Sequence, residues 1–239
     1  MVKVLLGAPT TRDLPIPYVR SLWMTQLKGT IAWDTIYGQA VDVGRNNLVK
    51  RFLEKYKEYD YLLMHDTDAT WDGTAVQRLV DRQLPIVTGI IFKRSIPTVP
   101  TIGKFVNISP EGNHMYSYKD AVNNILDVVE REKIDHKTIN ELVLAEQPGQ
   151  VKEIDAAGAH FMLIHRDVFT AIGDNWYECT RMNAGEDFAF CRKAQRAGFK
   201  LHADFSVFTG HHLGGTMEIG LREFVLYHDN EKVETEWIA

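Results

Sequence analysis

Apolar and polar positions along the chain alternate between two periods. Val2 to Gly7 is a short apolar run that stops at the turn-rich segment Ala8-Pro9-Thr10-Thr11-Arg12. Pro15 and Pro17 precede a helix-compatible stretch, Tyr18 to Leu27, and Thr30 to Ile36 has strand character. From Gly38 to Tyr59, the positions Val41, Leu48, Phe52, Leu53 and Tyr56 keep helical spacing. Tyr61 to Met64 is a buried-strand run that ends abruptly at His65-Asp66-Thr67-Asp68. Gly73 to Gln83 predicts a helix and Pro85 to Ile91 a further strand. Strand and helix alternating over the first 90 residues or so predict a parallel, doubly wound α/β sheet.

The pattern changes in the middle. Residues 97–118 carry Pro97, Pro100, Gly103, Pro110 and Gly112 and predict short strands and loops. Residues 119–145 predict a highly charged helix with Ile125, Val128 and Val129 as a modest apolar face. This stretch reads as an insertion on the sheet, without a core of its own. Strand character returns over 151–164, a helix spans Glu186 to Ala197 with Gly198 as its terminator, and Phe199 to Phe208 forms a last strand region. A Gly-flanked loop, Thr209-Gly210-His211-His212-Leu213-Gly214-Gly215, follows.

Composition narrows the function classes. The chain has 239 residues, 45% hydrophobic and 25% charged, which excludes a disordered chain. Its net charge of −5 argues against sequence-independent nucleic-acid binding. No apolar run approaches the roughly 20 residues of a membrane helix, and Met1 to Gly7 is too short for a secretory signal. Cys179 and Cys191 are too few for a disulfide scaffold, so a reducing cytoplasm is the default compartment and Cys191 reads as a small core residue.

Three segments carry candidate chemistry. Asp66-Thr67-Asp68 follows directly on a buried strand, where open α/β sheets bind ligands. Two carboxylates at that spacing suit one Mg²⁺ or Mn²⁺, which bind through carboxylates and substrate phosphates. The same residues also fit a turn in which Asp66 caps the next element and Asp68 is solvated. Asp72 reads as the N-cap of the following helix. Glu186-Asp187 opens a helix, which suits simple capping or a general base acting on a hydroxyl. Adjacent helical residues point in different directions, so Asp187 is taken as the base and Glu186 as its hydrogen-bonding support. His211 and His212 offer imidazole ligands, with His212 preferred because it starts a His-x-Gly.

In this order the segments resemble glycosyltransferases of the GT-A fold, and more narrowly the family 2-like nucleotide-sugar transferases. The likeness runs over residues 2–214: first strand, Gly38-to-Val49 helix, Asp66-Thr67-Asp68, Gly158-Ala159 before an apolar strand, Glu186-Asp187, then His212-Leu213-Gly214. It implies a Rossmann-like mixed sheet flanked by helices, with 1–214 as a single catalytic domain, an acceptor-side insertion around 107–150, and 215–239 as a tail. It implies Asp68 as the direct metal ligand, Asp66 on the ribose or on the metal through water, His212 completing the metal site, and Asp187 as the base of an inverting displacement. Pro9 and Thr10 would line the nucleotide pocket, with Asp42, Arg45 and Asn46 holding the nucleobase or bracing the loop that does, Arg45 fitting an exposed helical arginine equally well. Lys93 and Arg94 would either touch the diphosphate or form a solvated pair, Ala157-Gly158-Ala159 would admit substrate close to the backbone, and Trp176 would either stack on an acceptor sugar or sit in the core. The implied cofactor is Mn²⁺ or Mg²⁺, and the implied partners are a nucleoside-diphosphate sugar, UDP-linked, and a saccharide or other hydroxyl acceptor. The family usually carries a longer tail or further domains. Here about 25 residues follow Gly214, and Asp229, Glu231, Glu234 and Glu236 make them acidic, which opposes anionic-lipid binding. A nucleotidyltransferase on a sugar phosphate is the alternative, although Gly7-Ala8-Pro9-Thr10-Thr11-Arg12 makes a poor phosphate loop. A non-catalytic nucleotide- or carbohydrate-binding module is the third reading.

Overall fold

A computed structural model describes residues 1–11, 13–95, 98–109, 114–134, 151–179, 185–214 and 217–228. In chain order the elements are β1 (Val2–Thr10), α1 (Ile16–Met24), β2 (Gly29–Tyr37), α2 (Val41–Lys55), β3 (Tyr61–His65), β4 (Ala69–Thr70), α3 (Ala75–Asp81) and β5 (Ile86–Ile90). Next come β6 (Ile102–Ile108), β7 (His114–Ser117), α4 (Lys119–Arg131), β8 (Val151–Ile154), β9 (Ala156–Ala157) and β10 (Phe161–His165). The chain continues through α5 (Arg166–Ile172), α6 (Glu186–Arg196), β11 (Leu201–Phe208), β12 (Gly210–Gly214), β13 (Met217–Ile219) and α7 (Leu221–His228).

The main sheet has seven strands in the order β2-β1-β3-β10-β5-β11-β8. β1 runs parallel to both β2 and β3, and β11 parallel to β5. Between β3 and β5 lies β10, antiparallel to both. The sheet is therefore mixed, where the strand–helix alternation of the first 90 residues alone suggested a parallel one. Alternation fixes the direction of successive strands but leaves open which later strand inserts between them. β3, β5 and β10 are apolar almost throughout, as strands covered on both faces must be.

Side chains alternate across these strands and build two core layers. Leu5, Leu62, Met64, Phe52, Ile164, Phe169 and Phe190 fill one face, under α2, α4, α5 and α6. Val4, Leu6, Leu63, Tyr18, Trp71, Leu79 and Phe161 fill the other, under α1 and α3. Each fully buried side chain of this size contributes roughly 1.5–3 kcal/mol of transfer free energy. α4 presents Ala121, Val122, Ile125 and Val128 to the first layer, so the charged insertion shares the core of the sheet. Its expected continuation over 135–150 lies outside the described residues, as do the acidic positions 229–239. Phe224 and Val225 of α7 also enter the first layer. Among the described residues no helix is long and apolar enough to cross a membrane.

Three local expectations change. Asp72 does not sit at the N-cap of α3. It stands two residues before Thr74, accepting from its backbone N–H at 2.9 Å and its hydroxyl at 2.7 Å, and it pairs with Arg78. Trp176 is a core residue whose indole donates to the Phe169 carbonyl at 2.8 Å, which removes it from any sugar-stacking role. His211 and His212 lie on a strand, β12, paired with β4 and β13, where a loop was expected.

Candidate functional site

The candidate residues gather at the edge where β1, β3 and β5 end. β3 stops at His65, and the chain turns through Asp66-Thr67-Asp68 into β4. The Asp66 N–H donates to the His160 carbonyl at 3.2 Å, and the His212 N–H donates to the Asp68 carbonyl at 2.7 Å. The acidic turn is thus clamped between the residue preceding β10 and strand β12. Thr10, at the end of β1, brings its hydroxyl within 3.4 Å of that of Thr67.

A buried arginine organises the carboxylates. Arg45, in the second turn of α2, is 2% exposed and bonds Asp66 and Glu186, each at 2.7 Å. Burial opposes its charge, yet Asp66, Glu186 and Asp187 outweigh that and hold it firmly protonated. Burial would likewise raise Asp66, but Arg45 and His160 keep it well below the usual carboxylate range. The Arg45 guanidinium also lies 5.6 Å from the centroid of the Tyr177 ring. Asn46 fixes that segment by exchanging two hydrogen bonds with the Tyr177 backbone, at 2.7 and 2.9 Å. Arg45 and Asn46 therefore brace the site from beneath.

Asp187 and Glu186 occupy the first turn of α6, as their macrodipole preference suggests. They diverge: Glu186 takes Arg45, whereas Asp187 makes no ion pair among the described residues. Burial, then repulsion from Glu186, pushes Asp187 up to about 6, against the pull of Arg45. A Cβ added to Gly158 would stand 3.5 Å from Asp187 Oδ2 and 3.1 Å from Thr101 Oγ1, so glycine leaves the carboxylate room. Lys93 lies over the Tyr118 ring at 4.5 Å. Burial lowers its pKa, which the Asp187 charge opposes.

Asp68, His160 and His211 each offer a ligand atom within 4.8 Å of the other two. His160 Nδ1 is 3.2 Å from Asp66 Oδ2 and 3.6 Å from Asp68 Oδ1, and His211 Nε2 is 3.7 Å from Asp68 Oδ1. The His211 ring is set by Nδ1 at 3.0 Å from the Phe92 carbonyl, which leaves the Nε2 lone pair turned to Asp68. Burial, reinforced by His160, pushes His211 down to about 3, so it is neutral and ready to ligate. The His160 Nε2 is enclosed, with no hydrogen-bond partner among the described residues. One carboxylate and two imidazoles form a donor set that fits a borderline divalent cation.

The expected metal residues are thus distributed unevenly. Asp68 is in the converging group and Asp66 borders it, whereas the expected His212 is not part of it and its neighbour His211 is. On a strand these two point to opposite faces. Arg94 reaches the group, bonding Asp68 and His211. Pro9 packs toward Gly44, where an added Cβ would come within 3.1 Å of it. Asp42 lies in the first turn of α2 beside Cys179, whose pKa burial and then Asp42 raise.

No protein-family model matches the chain, and no curated protein matches it in sequence. Solved structures do. The glycosyltransferase GalNAc-T7, solved with UDP, GalNAc and Mn²⁺, aligns over 90% of this chain and 44% of its own, with a TM-score of 0.54 and 10% identity. The fold is of the GT-A glycosyltransferase type. A197 from STIV aligns over 93% of this chain and 92% of its own, with a TM-score of 0.56 and 15% identity.

Proposed function

We propose that this chain is a metal-dependent glycosyltransferase that moves a sugar from a nucleoside-diphosphate sugar, UDP-linked, to an acceptor hydroxyl with inversion. The observation that carries the proposal is the meeting of Asp68, His160 and His211 beside Asp66, at the strand edge that Asp187 also borders. Asp68, His160 and His211 hold the divalent ion, and two imidazoles favour Mn²⁺ over Mg²⁺. When bound, the ion supplies positive charge that offsets the charge developing on the leaving diphosphate. Asp66 orients the ribose, held ionised by Arg45. Pro9, Thr10 and Asp42 line the nucleotide side, and Arg94 contacts the diphosphate. Asp187 accepts the proton of the acceptor hydroxyl as that oxygen attacks the anomeric carbon; a carboxylate poised near 6 suits that work at neutral pH. Gly158 leaves space for the reacting groups beside it. The acceptor enters past the 107–150 insertion, of which β7 and α4 are described.

The test is a thermal-shift series with UDP, with and without Mn²⁺. UDP should raise the melting temperature only when Mn²⁺ is present, and Asp68→Ala should abolish the shift. A UDP shift that ignores the metal would remove the metal from the proposal. Pyrophosphate release from a nucleoside triphosphate and a sugar phosphate would point to nucleotidyl transfer instead.

A further inference from the structure

Two arginines serve this site, and they differ in kind. Arg45 has a side chain 3% exposed and is fixed between two carboxylates. Arg94 follows β5 on a surface segment, and its side chain is 44% exposed. Its Nη2 donates to the Asp68 carboxylate and its Nε donates to His211 Nε2 at 2.5 Å. Asp68 and His211 are two of the three residues whose ligand atoms converge. The same guanidinium therefore holds both.

This arrangement sets up a competition. His211 directs Nδ1 at the Phe92 carbonyl, so Nε2 carries the only lone pair it can offer to the site. That lone pair cannot accept the Arg94 Nε–H and ligate a cation at once. The guanidinium is permanently charged and planar, and its fork matches carboxylates and phosphates alike. Its exposed stem lets it leave the site without disturbing the core.

We propose that Arg94 is the built-in counter-ion of the cation site. In the free protein its guanidinium holds Asp68 and His211, a divalent cation binds by displacing it, and the displaced fork takes the diphosphate of the incoming nucleotide. This rests on the metal-dependent reading above and adds an order to it. Metal alone binds weakly, because it must expel Arg94. Nucleotide strengthens metal binding, because it gives Arg94 a new anionic partner. By linkage, metal strengthens nucleotide binding by the same factor.

The experiment is a Mn²⁺ titration followed by the electron paramagnetic resonance of free Mn²⁺, with and without UDP. It uses the wild type, Arg94→Met, Arg94→Gln and Asp68→Asn, each checked for an unchanged circular dichroism spectrum. Without UDP, both Arg94 variants should bind Mn²⁺ tighter than wild type, by about 5–150-fold, the usual range of a coupling between sites. UDP should tighten Mn²⁺ binding in the wild type and do so much less in the Arg94 variants. Asp68→Asn should bind no Mn²⁺ in this range. Arg94 variants that bind Mn²⁺ no tighter than wild type overturn the counter-ion role, while the loss in Asp68→Asn would leave the metal site standing. An undiminished UDP effect in the Arg94 variants overturns the hand-over to phosphate. Absence of Mn²⁺ binding in every protein overturns the metal reading, and this inference with it.

Discussion

Replacing Arg45 by methionine keeps the side-chain volume close to the original and removes the charge. Asp66 and Glu186 then face each other across the gap without a cation, with side chains 31% and 13% exposed. Breaking a buried ion pair by removing one partner typically costs about 3–5 kcal/mol. The partial exposure of Asp66 admits water and places the expected loss at the lower end, about 3 kcal/mol. A domain of this length loses about 2–4 °C of melting temperature per kcal/mol, so Arg45→Met should melt about 6–12 °C below the wild type at pH 7.5. The pH dependence adds a second check. Asp66 is held below its unfolded pKa in the wild type, so its contribution is present above the ordinary carboxylate range and fades as acid protonates it. The gap between the two proteins should therefore narrow below about pH 4. Arg45→Lys should recover part of the loss, because one ammonium cannot fork between two carboxylates. The assay is thermal unfolding by circular dichroism across pH 3.5–8. An Arg45→Met protein that melts within 2 °C of the wild type at pH 7.5 would refute this account of the buried network.

Asp187→Asn should keep Mn²⁺-dependent UDP binding and lose sugar transfer, and wild-type kcat/KM should rise with pH through about 6 as the carboxylate ionises; an active variant would place the base elsewhere. Because the folded pKa of Asp187 is raised, its ionisation costs stability as pH climbs from about 4 to 6, so Asp187→Asn should be the more stable protein above pH 6, by about 1–2 kcal/mol after allowing for solvent, and indistinguishable near pH 3.5. Gly158→Ala would set a methyl 3.1 Å from Thr101 Oγ1 and 3.5 Å from Asp187 Oδ2, so a loss of about 1–2 kcal/mol in urea unfolding should come with a larger fall in kcat; an unchanged kcat would free Gly158 from any part in the site.

Much of the fold is legible in the chain, because apolar runs and helical spacing carry it. Tyr61 to Met64 and Pro85 to Ile91 are strands within a residue or two of their reading, and Glu186 to Ala197 is a helix closed by Gly198 at φ +91°. The acidic turn was legible because a buried apolar strand ends on it. What was hidden depends on strand register and direction. His160 precedes β10, and in a parallel sheet the start of a strand lies on the side away from the ligands. Because β10 is antiparallel, Phe161 pairs with His65 and His160 arrives beside Asp66. Similarly, two adjacent histidines cannot be told apart until the strand is known. His211 pairs with Ala69 directly after the acidic turn, and that register turns its ring toward Asp68. Arg45 illustrates a third limit. Helical spacing placed it on α2, but nothing local shows that it meets residues 21 and 141 positions further along.

The position of β10 has a consequence during synthesis. β3 finds its second neighbour only when Phe161–His165 have been made, and among the described residues β5 pairs with β10 and β11, both made later. A chain released as far as residue 150 can pair only β2, β1 and β3 in the main sheet, with one flank of β3 open. Roughly 95 residues separate His65 from Phe161, which at about 5–20 residues per second leaves that flank open for some 5–20 s on the ribosome. The three residues whose ligand atoms converge span Asp68 to His211, so a nascent chain that has not yet reached His211 cannot bring them together.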